Sequence, residues 1–95
     1  MTGIGIDAGL RLGRLCKALG HPARVTIVQI LARSRGGETC GEIVRQLPLA
    51  QSTVSRHLAV LREAGFILGE GLPPRAFYRL DHRALELFKR AVSAL

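Results

Sequence analysis

The sequence predicts a mainly α-helical domain with a small β-hairpin wing near its C-terminal end, in the order ααααββα. Three observations predict it. Five segments repeat apolar residues at helical spacing or carry helix-capping signals. One late segment, residues 66–80, changes from the helical period to that of strands, around a loop containing two prolines. The chain of 95 residues is too short to split, because neither half would keep a usable core, so residues 1–95 form a single domain.

The elements follow in order. Asp7 can N-cap a first helix over about residues 7–19, where Leu12, Leu15, Cys16 and Leu19 form an apolar stripe at i, i+3, i+4 and i+7. Gly20 ends it. His21 and Pro22 open a second helix, with Pro22 at the N1 position where its missing N–H costs nothing. That helix is apolar nearly all round, at Val25, Ile27, Val28, Ile30 and Leu31, which predicts burial by several neighbours and places it at the centre of the core. After the polar break from Arg33 to Gly37, Thr39 and Glu42 form a T-x-x-E capping box for a short third helix reaching about Leu47. Pro48 stops it, and a fourth helix starts near Gln51. A tight connection between two short helices is the signature of a helix-turn-helix, whose second helix enters the DNA groove. Strands over residues 66–70 and 75–80 flank the loop of Gly71, Leu72, Pro73 and Pro74. Asp81 then caps a last helix over about residues 81–94, with Leu85, Phe88, Val92 and Leu95 on one stripe.

The fourth helix carries the functional signal. Val54, Leu58 and Leu61 recur at i, i+4 and i+7, while Ser52, Ser55, Arg56, Ala59 and Arg62 fall on the opposite side. That side is small, hydroxylic and basic. Ser and Arg donate to phosphates and base edges, and small residues let a helix sit deep in a major groove about 12 Å wide. Gln51 or Ser52 has a second reading, as a simple helix cap. Gly65 closes the helix as a C′ residue.

Composition agrees with a polyanionic partner. The formal net charge is +7 and the sequence pI about 11.1, and twelve of the fourteen basic residues are Arg, the side chain suited to bidentate phosphate and guanine contacts. Apolar residues make up 47% of the chain, which excludes a disordered basic tail. No run of about 18 apolar residues predicts a membrane span, and the N-terminal residues do not read as a secretory signal, so the expected location is the cytoplasm. Two cysteines in such a chain are expected as reduced thiols, ligands or redox groups. No paired carboxylates and no nucleophile beside a base suggest an enzyme, and nothing calls for a cofactor.

The segments ALGHPARVTIVQIL, LAQSTVSRHLAVLREAGFI and FYRL resemble the ArsR/SmtB family of bacterial winged helix-turn-helix transcriptional repressors, over about Leu15 to Leu95. The resemblance implies a homodimer paired through its first and last helices, bound to an inverted-repeat operator in double-stranded DNA and released by an inducer. It assigns Gln51, Ser52, Thr53, Ser55 and Arg56 to groove and phosphate contacts. His57 also belongs to the motif and lies between the two stripes, either a base contact or a packed, hydrogen-bonded residue. Arg75, in the wing, is either a minor-groove or backbone contact or a solvated side chain.

The family's metal sites are missing. A Cys-x-Cys pair at the start of the third helix would grip a soft ion, but its positions hold Thr39 and Gly41 with Cys40 between. The second family site needs Asp-x-His and a later His on the last helix; here Asp81 and His82 are adjacent and no His follows. No metal is therefore expected. Cys16 and Cys40 remain as the candidate thiol sensor. Cys40 stands in a first helical turn, where the positive dipole end favours a thiolate. Cys16 has the alternative reading of a small buried hydrophobe. The sharper expectation joins the two as a disulfide, a polysulfide link or a site for arsenic or mercury. The remaining alternatives are a constitutive repressor with no inducer, and a winged-helix module that binds protein.

Overall fold

The computed structural model describes residues 6–72 and 75–95. It contains five helices, α1 (Ile6–Leu19), α2 (Pro22–Arg33), α3 (Cys40–Val44), α4 (Gln51–Glu63) and α5 (His82–Ser93), and three strands, β1 (Glu38–Thr39), β2 (Ile67–Glu70) and β3 (Phe77–Leu80). The wing loop's prolines at 73 and 74 lie outside the described residues.

Local chemistry sets the boundaries. The His21 imidazole accepts from the Ala23 N–H at 3.0 Å and caps α2 directly before Pro22, leaving the proline at a position that needs no donor. Thr39 and Glu42 form the reciprocal capping box: Thr39 Oγ1 accepts from the Glu42 N–H at 3.2 Å, and Glu42 Oε1 accepts from the Thr39 N–H at 2.8 Å. These bonds hold the Glu42 carboxyl below its ordinary range, the Thr39 backbone donor contributing most. Asp81 caps α5 by accepting from the Ala84 N–H at 3.0 Å. At the end of α4, Gly65 takes φ +88, its N–H donates to Arg62 O and that of Phe66 to Leu61 O. This pair of bonds is a Schellman motif, and it turns the chain sharply into β2.

Three expectations need correction. The third helix ends at Val44 and not near Leu47: the i→i+4 bonds give way to tighter turns, with Gln46 N–H on Ile43 O and Leu47 N–H on Val44 O, ahead of Pro48, which disfavours the α region for Leu47. The wing has a third strand, β1, antiparallel to β3 with Glu38 opposite Tyr78 and Thr39 opposite Phe77, so the sheet order is β1-β3-β2. Gly37 makes that pairing feasible: it has φ +89, and a Cβ there would stand 2.8 Å from Tyr78 O. Finally, α2 is not buried all round. Ile27, Val28 and Leu31 are buried, whereas Val25 is 41% exposed, on a side of the helix that the described residues leave uncovered.

The core is built around α4. Val54, Leu58 and Leu61 pack with Ala18, Ile27, Val28, Leu31, Ile43, Phe66, Ile67 and Leu80. Phe66 meets Phe88 of α5 edge to face, with ring centroids 5.3 Å apart. Burying each such large side chain stabilises the fold by about 1.5–3 kcal/mol, so the inner face of α4 is held firmly. Its outer face is thereby fixed as well.

The terminal helices differ. α5 has no fully buried residue, and α1 has only Ala18. Ile6, Leu10, Leu87 and Val92 are all more than 40% exposed, and an apolar groove of about 490 Å³, lined by Leu12 and Leu15 of α1 and Leu87 and Phe88 of α5, runs between the two helices.

Candidate nucleic-acid interface

The residues singled out on α4 separate cleanly by exposure. Gln51, Ser52, Ser55 and Arg56 are exposed and Thr53 is half-buried. The helix N-cap is Ala50, which has no polar side chain; its carbonyl accepts from the Thr53 and Val54 N–H groups at 3.1 Å. Neither Gln51 nor Ser52 is used as a cap. Arg62, one turn and a half beyond Arg56, extends the basic side toward the wing, where its guanidinium lies over Gly69 of β2.

His57 is placed differently from these five. It is 8% exposed, its Nδ1 accepts from Arg24 Nε at 3.1 Å, and its ring lies 4.5 Å from that of His21. It packs against α2 and does not share the outer face. Burial, reinforced by the nearby His21, Arg24 and Arg56, holds its imidazole below the ordinary histidine range.

α3, α4 and the wing meet in an open cleft of about 490 Å³, lined among others by Cys40, Gln51, Ser55, Arg75 and Tyr78. Arg75 is exposed at its mouth. A second wing arginine, Arg79, is paired with Glu70. Cys40 Sγ lies 3.5 Å from Ser55 Oγ, so the thiol touches the exposed face of α4. Cys16 is exposed on α1, contrary to its reading as a buried hydrophobe: Leu15 and Leu19 of the same stripe pack against the core, and Cys16 lies on the side that the described residues leave uncovered. Both cysteines are free, and the cleft that Cys40 lines does not include Cys16. Among the described residues, no three His, Cys, Asp or Glu side chains cluster as metal ligands would, and no helix is long and apolar enough to cross a membrane.

Comparison with known proteins bears on this surface directly. The Helix-turn-helix domain family matches residues 19–70, which span α2 to β2. The crystal structure of the transcriptional repressor BigR from Xylella fastidiosa superposes with a TM-score of 0.71 at 30% identity, over 94% of this chain and 90% of that one. The chain belongs to the ArsR/SmtB family. The Biofilm growth-associated repressor of Agrobacterium fabrum is 41% identical over 66 residues, which are 70% of this chain and 55% of that protein; the chain thus spans little more than half of that relative's length. A homodimeric winged helix-turn-helix DNA-binding domain from Mycobacterium bovis shares the fold, with a TM-score of 0.76 at 22% identity over 99% of this chain and 89% of that one. Within this ArsR/SmtB frame α3 and α4 are the helix-turn-helix, and β2 and β3 are the wing.

Two features of the interface escaped sequence reasoning. Arg24 is separated from His57 by 33 positions, and no local pattern marks it as a partner. Tyr78 lines the cleft from β3, where the alternating strand pattern alone could have suggested that it shares a face with Leu80.

Proposed function

We propose that this protein is a homodimeric, cytoplasmic transcriptional repressor that reads double-stranded operator DNA with α4. The observation that carries the proposal is the division of α4: Val54, Leu58 and Leu61 are buried, while Gln51, Ser52, Ser55 and Arg56 are left exposed beside the wing. Arg56 and Ser55 would reach base edges and phosphates, Gln51, Ser52 and Thr53 would fix the helix end on the backbone, and Arg75 would steady the wing. The uncovered apolar faces of α1 and α5 support pairing of two copies, as does a Cα radius of gyration of 14.4 Å, against about 12 Å for a compact monomer of this length. Two-fold pairing would set two α4 helices into successive major grooves of an inverted repeat.

Repression would follow from occlusion of the promoter. Release requires an inducer that binds the DNA-incompetent dimer better than the competent one. Cys40 is the group in this chain best placed to report a thiol-reactive species, because its sulfur already touches Ser55 and an adduct there would crowd the recognition surface. Cys16 would act from the dimer helices. Replacement of both by serine with every response to polysulfide, peroxide and arsenite unaltered would refute the thiol route and favour a repressor without an inducer.

A salt titration of duplex binding tests the main reading. Phosphate contacts make log affinity fall linearly with log salt, by about 0.9 for each phosphate neutralised. A steep negative slope supports the repressor, and absence of duplex binding at low salt supports a protein-binding winged helix instead.

A further inference from the structure

One guanidinium ties its own helix to two others. Arg24, in the first turn of α2, donates from Nε to His57 Nδ1 at 3.1 Å and from Nη1 to the last-turn carbonyls of α1, Ala18 O at 3.3 Å and Lys17 O at 3.5 Å. The bond to His57 requires an unprotonated Nδ1, so the imidazole proton sits on Nε2. The His21 ring, whose Nδ1 is committed to the Ala23 N–H, closes the other side.

We propose that Arg24 and His57 form an acid-released latch that fixes the recognition helix to the end of α1. Protonation at His57 Nδ1 turns the acceptor into a donor facing another donor. The bond is lost, and a second positive charge appears beside Arg24.

Among the described residues, the surroundings offer that charge no relief. The groups acting on His57 electrostatically are His21, the N-cap of α2, Arg24 of α2 and Arg56 of its own helix, all basic. From α1 come backbone carbonyls already engaged by Arg24, and the Lys17 side chain is exposed. On the other elements packed against α4, Glu42 of α3 is bound to Thr39, Cys40 of α3 contacts Ser55, and Glu70 of β2 pairs with Arg79.

The sign of the pH effect follows. His57 is held below its unfolded value of about 6.5, so the folded state binds fewer protons than the unfolded state between the two values. The latch's contribution is complete above about pH 6.5 and declines as pH falls through the folded value, below which the loss levels off. Because α1 also presents the apolar face proposed to pair two copies, opening the latch would uncouple the α4 helices from the dimer frame and weaken DNA binding in acid. That last consequence rests on the proposed DNA reading; the latch does not.

The test therefore begins without DNA. Nitrogen-15 NMR of the full chain is expected to show His57 as the Nε2–H tautomer, with a titration midpoint below about 6.5. The melting temperature of the wild type is expected to fall between pH 7.5 and 5.5 by roughly 5 °C more than that of His57→Asn, which places a non-titrating acceptor near the same position and leaves His21 unchanged. An Nδ1–H tautomer, a midpoint at or above 6.5, or equal pH slopes in the two proteins would overturn the latch; if the Asn variant fails to fold, the wild-type tautomer and midpoint decide alone. A final arm measures affinity for a duplex enriched from a random-sequence pool: acid weakening in the wild type but not in the variant supports the coupling, and a latch verified by NMR with no duplex binding at any pH rejects the DNA reading alone.

Discussion

The central body and the terminal helices of this molecule use their apolar residues in opposite ways. Around α4 the apolar residues are satisfied within one chain: Val54, Leu58 and Leu61 are each 1% exposed or less. On α1 and α5 the same residue types stay open to solvent, with Leu10 and Leu87 each 52% exposed. A stripe at helical spacing therefore predicts a helix in both places but full burial in only one, since Leu15 and Leu19 of α1 and Leu85 and Phe88 of α5 are only partly buried against the core. The difference supports the proposal that the body holds a rigid reading surface and that the ends pair with a second copy.

Four changes break or sharpen that contrast. The largest effect is expected from Leu58→Ala, which leaves a cavity under the recognition helix; thermal or urea unfolding should show a loss of about 2–5 kcal/mol. Next is Leu87→Glu. It places a charge in the uncovered face and should raise the dimer dissociation constant at least about a hundredfold, near 2.7 kcal/mol, in sedimentation equilibrium, with the circular dichroism spectrum unchanged and the stability of the monomer itself, measured at concentrations below dimerisation, altered by less than about 0.5 kcal/mol. A large loss of monomer stability instead would mean that the face is part of the folded core. Arg56→Ala should then weaken duplex affinity at fixed salt at least about tenfold, near 1.4 kcal/mol, while leaving fold and dimer intact. Thr39→Ala, which removes one half of the capping box, should cost about 1 kcal/mol.

That last site also carries a pH signature. Because Glu42 is held below its ordinary value, its contribution is present above about pH 4.3 and is lost as pH falls through the folded value. In Glu42→Gln this acid-side loss should shrink, as measured by melting temperature between pH 6 and 3.

How far the sequence revealed this arrangement depended on the range of the interactions. The capping box at Thr39 and Glu42, the cap at Asp81 and the Gly65 terminus were legible because each involves residues only a few positions apart. The two-residue strand β1 was not, since two residues show no alternation and its pairing partner lies 40 positions away at Tyr78. The helix-turn-helix and the exposed face of α4 were legible from periodicity and from family resemblance together. The role of His57 was left open by its position between two stripes, and its burial depends on Arg24 and His21, which sequence does not bring near. Val25 and Cys16 misled for a common reason: an apolar residue on a helix reports a need for cover without saying which chain supplies it.

Operator reading as proposed requires two recognition helices presented by one dimer. Hydroxyl-radical footprinting on a duplex enriched from a random-sequence pool measures this directly. Two symmetric protections about one helical turn apart, roughly 34 Å on one face of the DNA, are predicted. A single protected half-site, or no protection at a salt concentration where the protein remains folded, would contradict it.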